Sequence, residues 1–248
     1  MFEDYDRNKL FELIYSGIIN LFNLPKQLTK KTFDHLFDGL KDGLGVEYDF
    51  NDKVLIKELT NNLYLFSGAK TAVQVADMIG TMIDENGKLL SFSKFKKIAD
   101  SKFNQYNVDW LKAEYNTAVG QGQMVSKWTE FVQNTEQFPM LQYDAVLDGR
   151  TSAICRPLDG IILPVNDPFW KQYSPLNHFN CRCQLIRLSV YDEPKKTRKT
   201  KLEKASKEAQ KSVSDEFKMN PYYDRVVFSK KHPYFAESEQ LYKKNQSK

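Results

Sequence analysis

Residues 138–190, FPMLQYDAVLDGRTSAICRPLDGIILPVNDPFWKQYSPLNHFNCRCQLIRLSV, divide the chain into two textures. Ahead of them apolar residues recur with helical period; inside them the period vanishes and turn residues take over. Residues 151–155 and 160–163 are short β-compatible runs around Asp159-Gly160, a dipeptide suited to a tight hairpin turn. Residues 181–188 read as a third strand, while Asn166-Asp167-Pro168 and Tyr173-Ser174-Pro175 read as loops. The stretch predicts a small α+β module of few strands. Alone it buries little apolar surface, so it must lean on the preceding helix or be stapled by a ligand.

Working outward, residues 1–137 read as a helical body. Phe11, Ile14, Ile18 and Leu21 share a face that Pro25 ends; Thr29 or Thr32 can cap a second helix through Phe33, Leu36, Phe37 and Leu40, stopped by Gly43 and Gly45. Asp52 is an N-cap for Leu55, Leu59 and Leu63, and a separate helix beyond Ser67 carries Ala72, Val75, Ile79 and Met82 up to Asn86-Gly87. Ser91 opens another helix, and a long one begins at Asn107, its middle loosened by Gly120 and Gly122. Behind the module, residues 191–248 read as a basic linker, either solvated or an exposed helix, and then an aromatic strap around Asn220-Pro-Tyr-Tyr and His232-Pro-Tyr-Phe235. The fold class is therefore α+β: a mainly α-helical N-terminal body (1–137), a small α+β module (138–190) and an extended basic C-terminal tail (191–248).

The 248 residues carry a net charge of +4, but unevenly. Residues 195–211 hold eight basic and two acidic groups, whereas residues 1–193 are net −4. A short basic tract behind a mildly acidic body suggests one localised anionic contact. No apolar run approaches the roughly 20 residues of a membrane span, so no membrane partner is expected. The acidic N-terminus lacks the features of a secretory signal. Three cysteines are too few for a disulfide scaffold, which fits a protein made in a reducing cytoplasm.

Those cysteines form the one constellation with chemical content, Cys155-x22-His178-x2-Cys181-x-Cys183. On a strand Cys181 and Cys183 would share a face, with His178 at the loop end and Cys155 beside the turn. Three thiols and an imidazole are the ligand type of a closed structural zinc site. Buried packing thiols with a hydrogen-bonded His fit the same residues, as does a reversible disulfide from Cys155 to Cys181 or Cys183. A nucleophilic Cys155 with His178 as base can also be written, oriented by Asp144, Asp148, Asp159 or Asn180. No nucleophile elbow, phosphate loop or HExxH accompanies it, so the chain reads as a non-enzyme with no required cofactor.

The ordered string Asp148-Gly-Arg150-Thr151, Cys155, Leu158-Asp159-Gly160, Asp167-Pro-Phe-Trp170, Pro175 and His178-x-Asn180-Cys181-Arg182-Cys183 resembles the signature of the phage Mu F-like head morphogenesis family. The match is detailed over about residues 140–190. Its signature positions are Asp148, Arg150, Thr151, Cys155, Asp159, Gly160, His178, Asn180, Cys181, Arg182 and Cys183. The resemblance implies a minor capsid protein of the virion, inside the head near the portal vertex, with the portal protein and inner capsid as partners. It further implies a role in DNA packaging or ejection and, for some members, DNA binding without sequence preference. Family members often carry Arg-Thr-Glu on the preceding helix. Here the nearest equivalents, at residues 114–117 and 128–130, lack the Arg, so its pairing is absent or re-routed. Double-stranded DNA would meet Lys195, Lys196, Arg198, Lys199, Lys201 and Lys204 through phosphate contacts alone. The contrasting reading is a cysteine-dependent enzyme or effector delivered with the genome.

Overall fold

A computed structural model describes residues 2–46 and 52–246. In chain order the described elements are α1 (Arg7–Tyr15), α2 (Lys26–Leu44), α3 (Lys53–Gly80), α4 (Phe92–Asn104), a π-helical turn (Gln105–Trp110), α5 (Leu111–Gln133), β1 (Met140–Asp144), β2 (Ile162–Pro164), α6 (Trp170–Tyr173), β3 (Gln184–Leu188), α7 (Lys199–Ser212), α8 (Pro221–Asp224) and α9 (Pro233–Gln246). The fold class is α+β, a helical body with one small antiparallel sheet.

Local chemistry fixes the helix ends. The Asp6 carboxylate accepts the Lys9 N–H at 2.9 Å to start α1, and Gly17, at φ +76°, follows its end, leaving Ile18 56% exposed instead of extending the stripe to Leu21. Pro25 opens α2 where an end was expected, because a proline costs nothing where the helix N–H groups lack partners. Thr29 and Thr32 accordingly lie inside that helix, not at its cap. Asp52 does cap α3, accepting from Leu55 N–H at 2.9 Å. The expected break near Ser67 is absent, since its hydroxyl donates back to the Leu63 carbonyl at 2.8 Å and α3 runs on for 28 residues. In the same way α4 passes through the π-helical turn directly into α5.

Packing divides the chain into two compact units, drawn differently from the texture boundaries at 137 and 190. The first comprises Met1–Asp38, Thr60–Tyr115 and Lys230–Lys248; the second comprises Gly39–Leu59 and Asn116–Ser229. In the first unit Phe2 and Phe11 meet Phe103 edge-on, and Phe66 is surrounded by His232, Tyr234 and Phe235. The aromatic strap thus closes on its own chain, and it is helical at α9 instead of extended.

The second unit holds the sheet, ordered β2-β1-β3 and antiparallel throughout, with Leu141 opposite Leu163 on one side and Arg187 on the other. The central strand β1 was not expected. Its alternation buries Leu141 and Tyr143 against Trp128 and Phe131 of α5, Leu158, Ile161, Trp170 and Leu185. Residues 151–155, expected as a strand, form turns instead: Cys155 N–H bonds the Ser152 carbonyl, and a 3-10 turn at Arg156–Leu158 carries Pro157, which cannot donate to a ladder. Asp159-Gly160 then leads into β2, with Gly160 at φ +64° and its N–H on the Tyr143 carbonyl at 2.9 Å. The third strand begins at Gln184, so Cys181 and Cys183 precede it and are not on it.

The basic linker is also ordered. Ala205 and Ala209, one turn apart on α7, bury into the same core while the lysines face water. Val213 and Phe217 continue that contact, and the Asn220 side chain both caps α8 and donates to the Trp170 carbonyl at 3.1 Å.

Candidate functional site: three thiols beside an ion pair

The loop after β1 is tied by its own polar groups. Asp148 accepts both guanidinium nitrogens of Arg182, at 2.9 and 2.7 Å, and the Arg150 N–H at 2.8 Å. The Arg182 hydrogen bonds, then the Arg150 backbone, hold the Asp148 carboxyl well below the usual carboxylate range. The Thr151 hydroxyl accepts from Asp148 N–H at 2.7 Å and donates to the Val146 carbonyl. Asp159 accepts the Ala145 N–H at 3.0 Å, which pins the far end of the same loop. Asn180 sits in the left-handed region at φ +57°, and its side-chain oxygen accepts from Asn116 of α5 at 2.9 Å. These positions build the module: each of their bonds is to another part of the same unit.

This frame brings the thiols together. Cys155 is buried, Cys181 and Cys183 are half-buried, and all three Sγ atoms lie within 4.8 Å of one another, with Cys155 and Cys181 3.7 Å apart. Hydrogen bonds from the Cys155 and Cys183 thiols, then from the backbone N–H groups of Asn177 and Cys183, hold the Cys181 thiol low. The same bond to Cys181 pushes Cys155 up. Tyr143 is fully buried beside the thiols, takes a hydrogen bond from the Asn177 amide at 2.9 Å, and has its phenol raised by burial first and by the thiols second.

His178 stands outside the thiol cluster. Its Nδ1 bonds the Phe179 carbonyl at 2.8 Å, and with Cys155 and Cys183 it lines a small cavity of about 20 Å³ that Arg150, Thr151 and Asn180 also border. Tyr143 and Asn177 are the participants that spacing alone did not reveal, because each acts through a fold contact more than 30 residues away in sequence. In the first unit, sequence reasoning also missed a buried ion pair: Lys70 donates to Glu114, whose other oxygen accepts from the Tyr234 hydroxyl at 3.2 Å. Lys70 falls between Phe66 and Val73 on an apolar face, the one local signal that could have exposed it.

Residues 81–186 match the family described as Phage Mu protein F like protein. That segment is similar to the Mu F-like family. The match reaches upstream of the detailed resemblance, taking in α4 and α5 as well as the sheet. The chain is 34% identical over 74 residues to the putative capsid assembly protein F of Escherichia phage Mu, covering 30% of this chain and 16% of that protein. It is 35% identical over 66 residues to the Mu-like prophage FluMu F protein of Haemophilus influenzae, covering 27% of this chain and 16% of the relative. The chain thus aligns with about a sixth of each relative. No solved structure matches. Within the matched segment and its partners, Asp148 is satisfied by Arg182, and Glu114, at one of the positions nearest the expected Arg-Thr-Glu, is satisfied by Lys70.

All six candidate DNA-contact residues, Lys195, Lys196, Arg198, Lys199, Lys201 and Lys204, are exposed. Lys196 pairs with Asp167 at 3.4 Å, Lys199 with Glu203 at 3.9 Å, and Lys201 donates to the Gly160 carbonyl at 3.3 Å. Among the described residues no helix is long and apolar enough to cross a membrane.

Proposed function

We propose that this chain is a minor head protein, made in the host cytoplasm and carried in the virion at the inner face of the portal vertex, where it assists DNA packaging or ejection. The observation that supports it is the family match over residues 81–186, together with the 74-residue similarity to a relative named for capsid assembly. The chemistry of the site agrees. Asp148, Thr151, Asp159, Asn180 and Arg182 are all engaged within the module, as suits a structural or docking role better than turnover. Its partners in this reading are the portal protein and the inner capsid. The exposed lysines of α7 and the residues before it face packaged DNA and contact phosphates without reading bases.

Co-expression with the portal protein of the same genome tests the assignment. A complex surviving size-exclusion chromatography is expected; two separate elution peaks would contradict it. The reading of a cysteine-dependent effector draws on one observation, the small cavity that Cys155 lines together with His178. It requires Cys155→Ala and His178→Ala each to abolish an activity while portal binding persists.

A further inference from the structure

The three thiols are arranged as the face of a tetrahedron. With Zn–S bonds of about 2.3 Å, sulfurs bound to one tetrahedral zinc lie about 3.8 Å apart. Cys155 and Cys181 stand at 3.7 Å, and Cys183 lies within 4.8 Å of both, so small rotations complete the triangle. The chain reaches this arrangement from two distant loops, one behind β1 and one ahead of β3. Both are fixed by groups other than the thiols: Asp148 with Arg182, and Asp159 with the Ala145 N–H.

A further feature points the same way. Cys155 and Cys183 share a small cavity with His178. His178 Nδ1 is bonded to the Phe179 carbonyl at 2.8 Å, which leaves Nε2 as the ring nitrogen available to a metal.

We propose that Cys155, Cys181 and Cys183 hold one structural zinc ion, with His178 Nε2 turning across the cavity as the fourth ligand. Binding releases the thiol protons to solvent and leaves a closed Cys3His site with no open position for catalysis. The ion clamps the loop after β1 to the segment ahead of β3. A disulfide between Cys155 and Cys181 is the rival chemistry. It would have to draw the sulfurs from 3.7 Å to about 2.0 Å and would leave Cys183 without a purpose.

The test uses the full chain, grown with zinc and purified in reductant without chelator. Elemental analysis should give close to one zinc per chain, released when a mercurial blocks the thiols. Replacement by Co2+ should give the intense thiolate-to-metal absorption and the visible bands of a tetrahedral site. Cys181→Ala should lose the metal, and His178→Ala should weaken zinc retention against a competing chelator by about 10- to 100-fold. Because Cys181→Ala could also disturb folding, the cobalt spectrum of the unaltered chain is the independent readout. Zinc below about 0.2 per chain, an octahedral cobalt spectrum, a Cys155–Cys181 disulfide in the intact mass, or unchanged zinc retention in His178→Ala would overturn the proposed site.

Discussion

Lys70 and Glu114 carry the most demanding residue-scale chemistry in the chain. Both side chains are buried; desolvation lowers the lysine and raises the glutamate, each against the pull of the other's charge. Removing one partner strands the other, so Glu114→Ala is expected to destabilise the protein by about 3–5 kcal/mol. The double replacement Lys70→Met with Glu114→Leu should cost clearly less than the two single changes combined. Chemical denaturation midpoints of the three variants measure this. His232, close by, is held at about 4 by burial first and by the Lys70 charge second. Its folded value lies below the ordinary 6.5, so the unfolded chain takes up the proton first as pH falls. The stability it contributes is complete above pH 6.5 and is lost between about 6.5 and 4. His232→Gln should flatten the melting temperature across that interval, as thermal scans at several pH values would reveal. The sequence made residue types legible but not these pairings. Cys155, His178, Cys181 and Cys183 stood out by chemistry and spacing, and the thiols do converge. Lys70 and Glu114 lie 44 positions apart, and the apolar face around Lys70 marks a buried lysine without naming its acid.

At the scale of elements, glycines in α2 and α5 permit a close helix crossing in the second unit. A Cβ at Gly122 would stand 2.6 Å from the Leu40 carbonyl oxygen, and one at Gly43 would stand 2.0 Å from that of Val119. Gly122 therefore marks a contact, where the sequence suggested a weak point in an unbroken helix. Gly122→Ala should destabilise by about 1–3 kcal/mol through overpacking. Gly68→Ala, inside α3 with nothing within 4 Å of the added carbon, should stabilise by roughly 0.5–1 kcal/mol. Opposite shifts in the two denaturation curves would verify both. The helices were legible because period and caps are local. The strand β1 was not, since Phe138-Pro139 marks a boundary just ahead of it and its alternation spans only five residues. The basic tract was legible as charge, while its helical form depended on Ala205 and Ala209 finding a core supplied by other elements. On the proposed phosphate contact, replacing Lys195, Arg198 and Lys204 by Gln weakens binding to duplex DNA uniformly across sequences and reduces the salt slope by roughly one per lost contact. Fluorescence anisotropy at several salt concentrations supplies the slope.

For the whole molecule, the net charge of +4 is the sum of an acidic body and a basic segment, and the basic segment is folded onto the module instead of trailing from it. The Mu F-like signature builds that module: an ion pair, two side-chain clamps on one loop and three convergent thiols hold a three-stranded sheet against α5 and α7. A scaffold of this kind suits a protein whose work is to be positioned within a larger assembly. The central claim, that this chain is a minor component of a phage head, is tested most directly by quantitative mass spectrometry of purified virions and procapsids from the genome that encodes it. The chain should be present at low copy number, in a fixed ratio to the portal protein. Its absence from both particles would contradict the account.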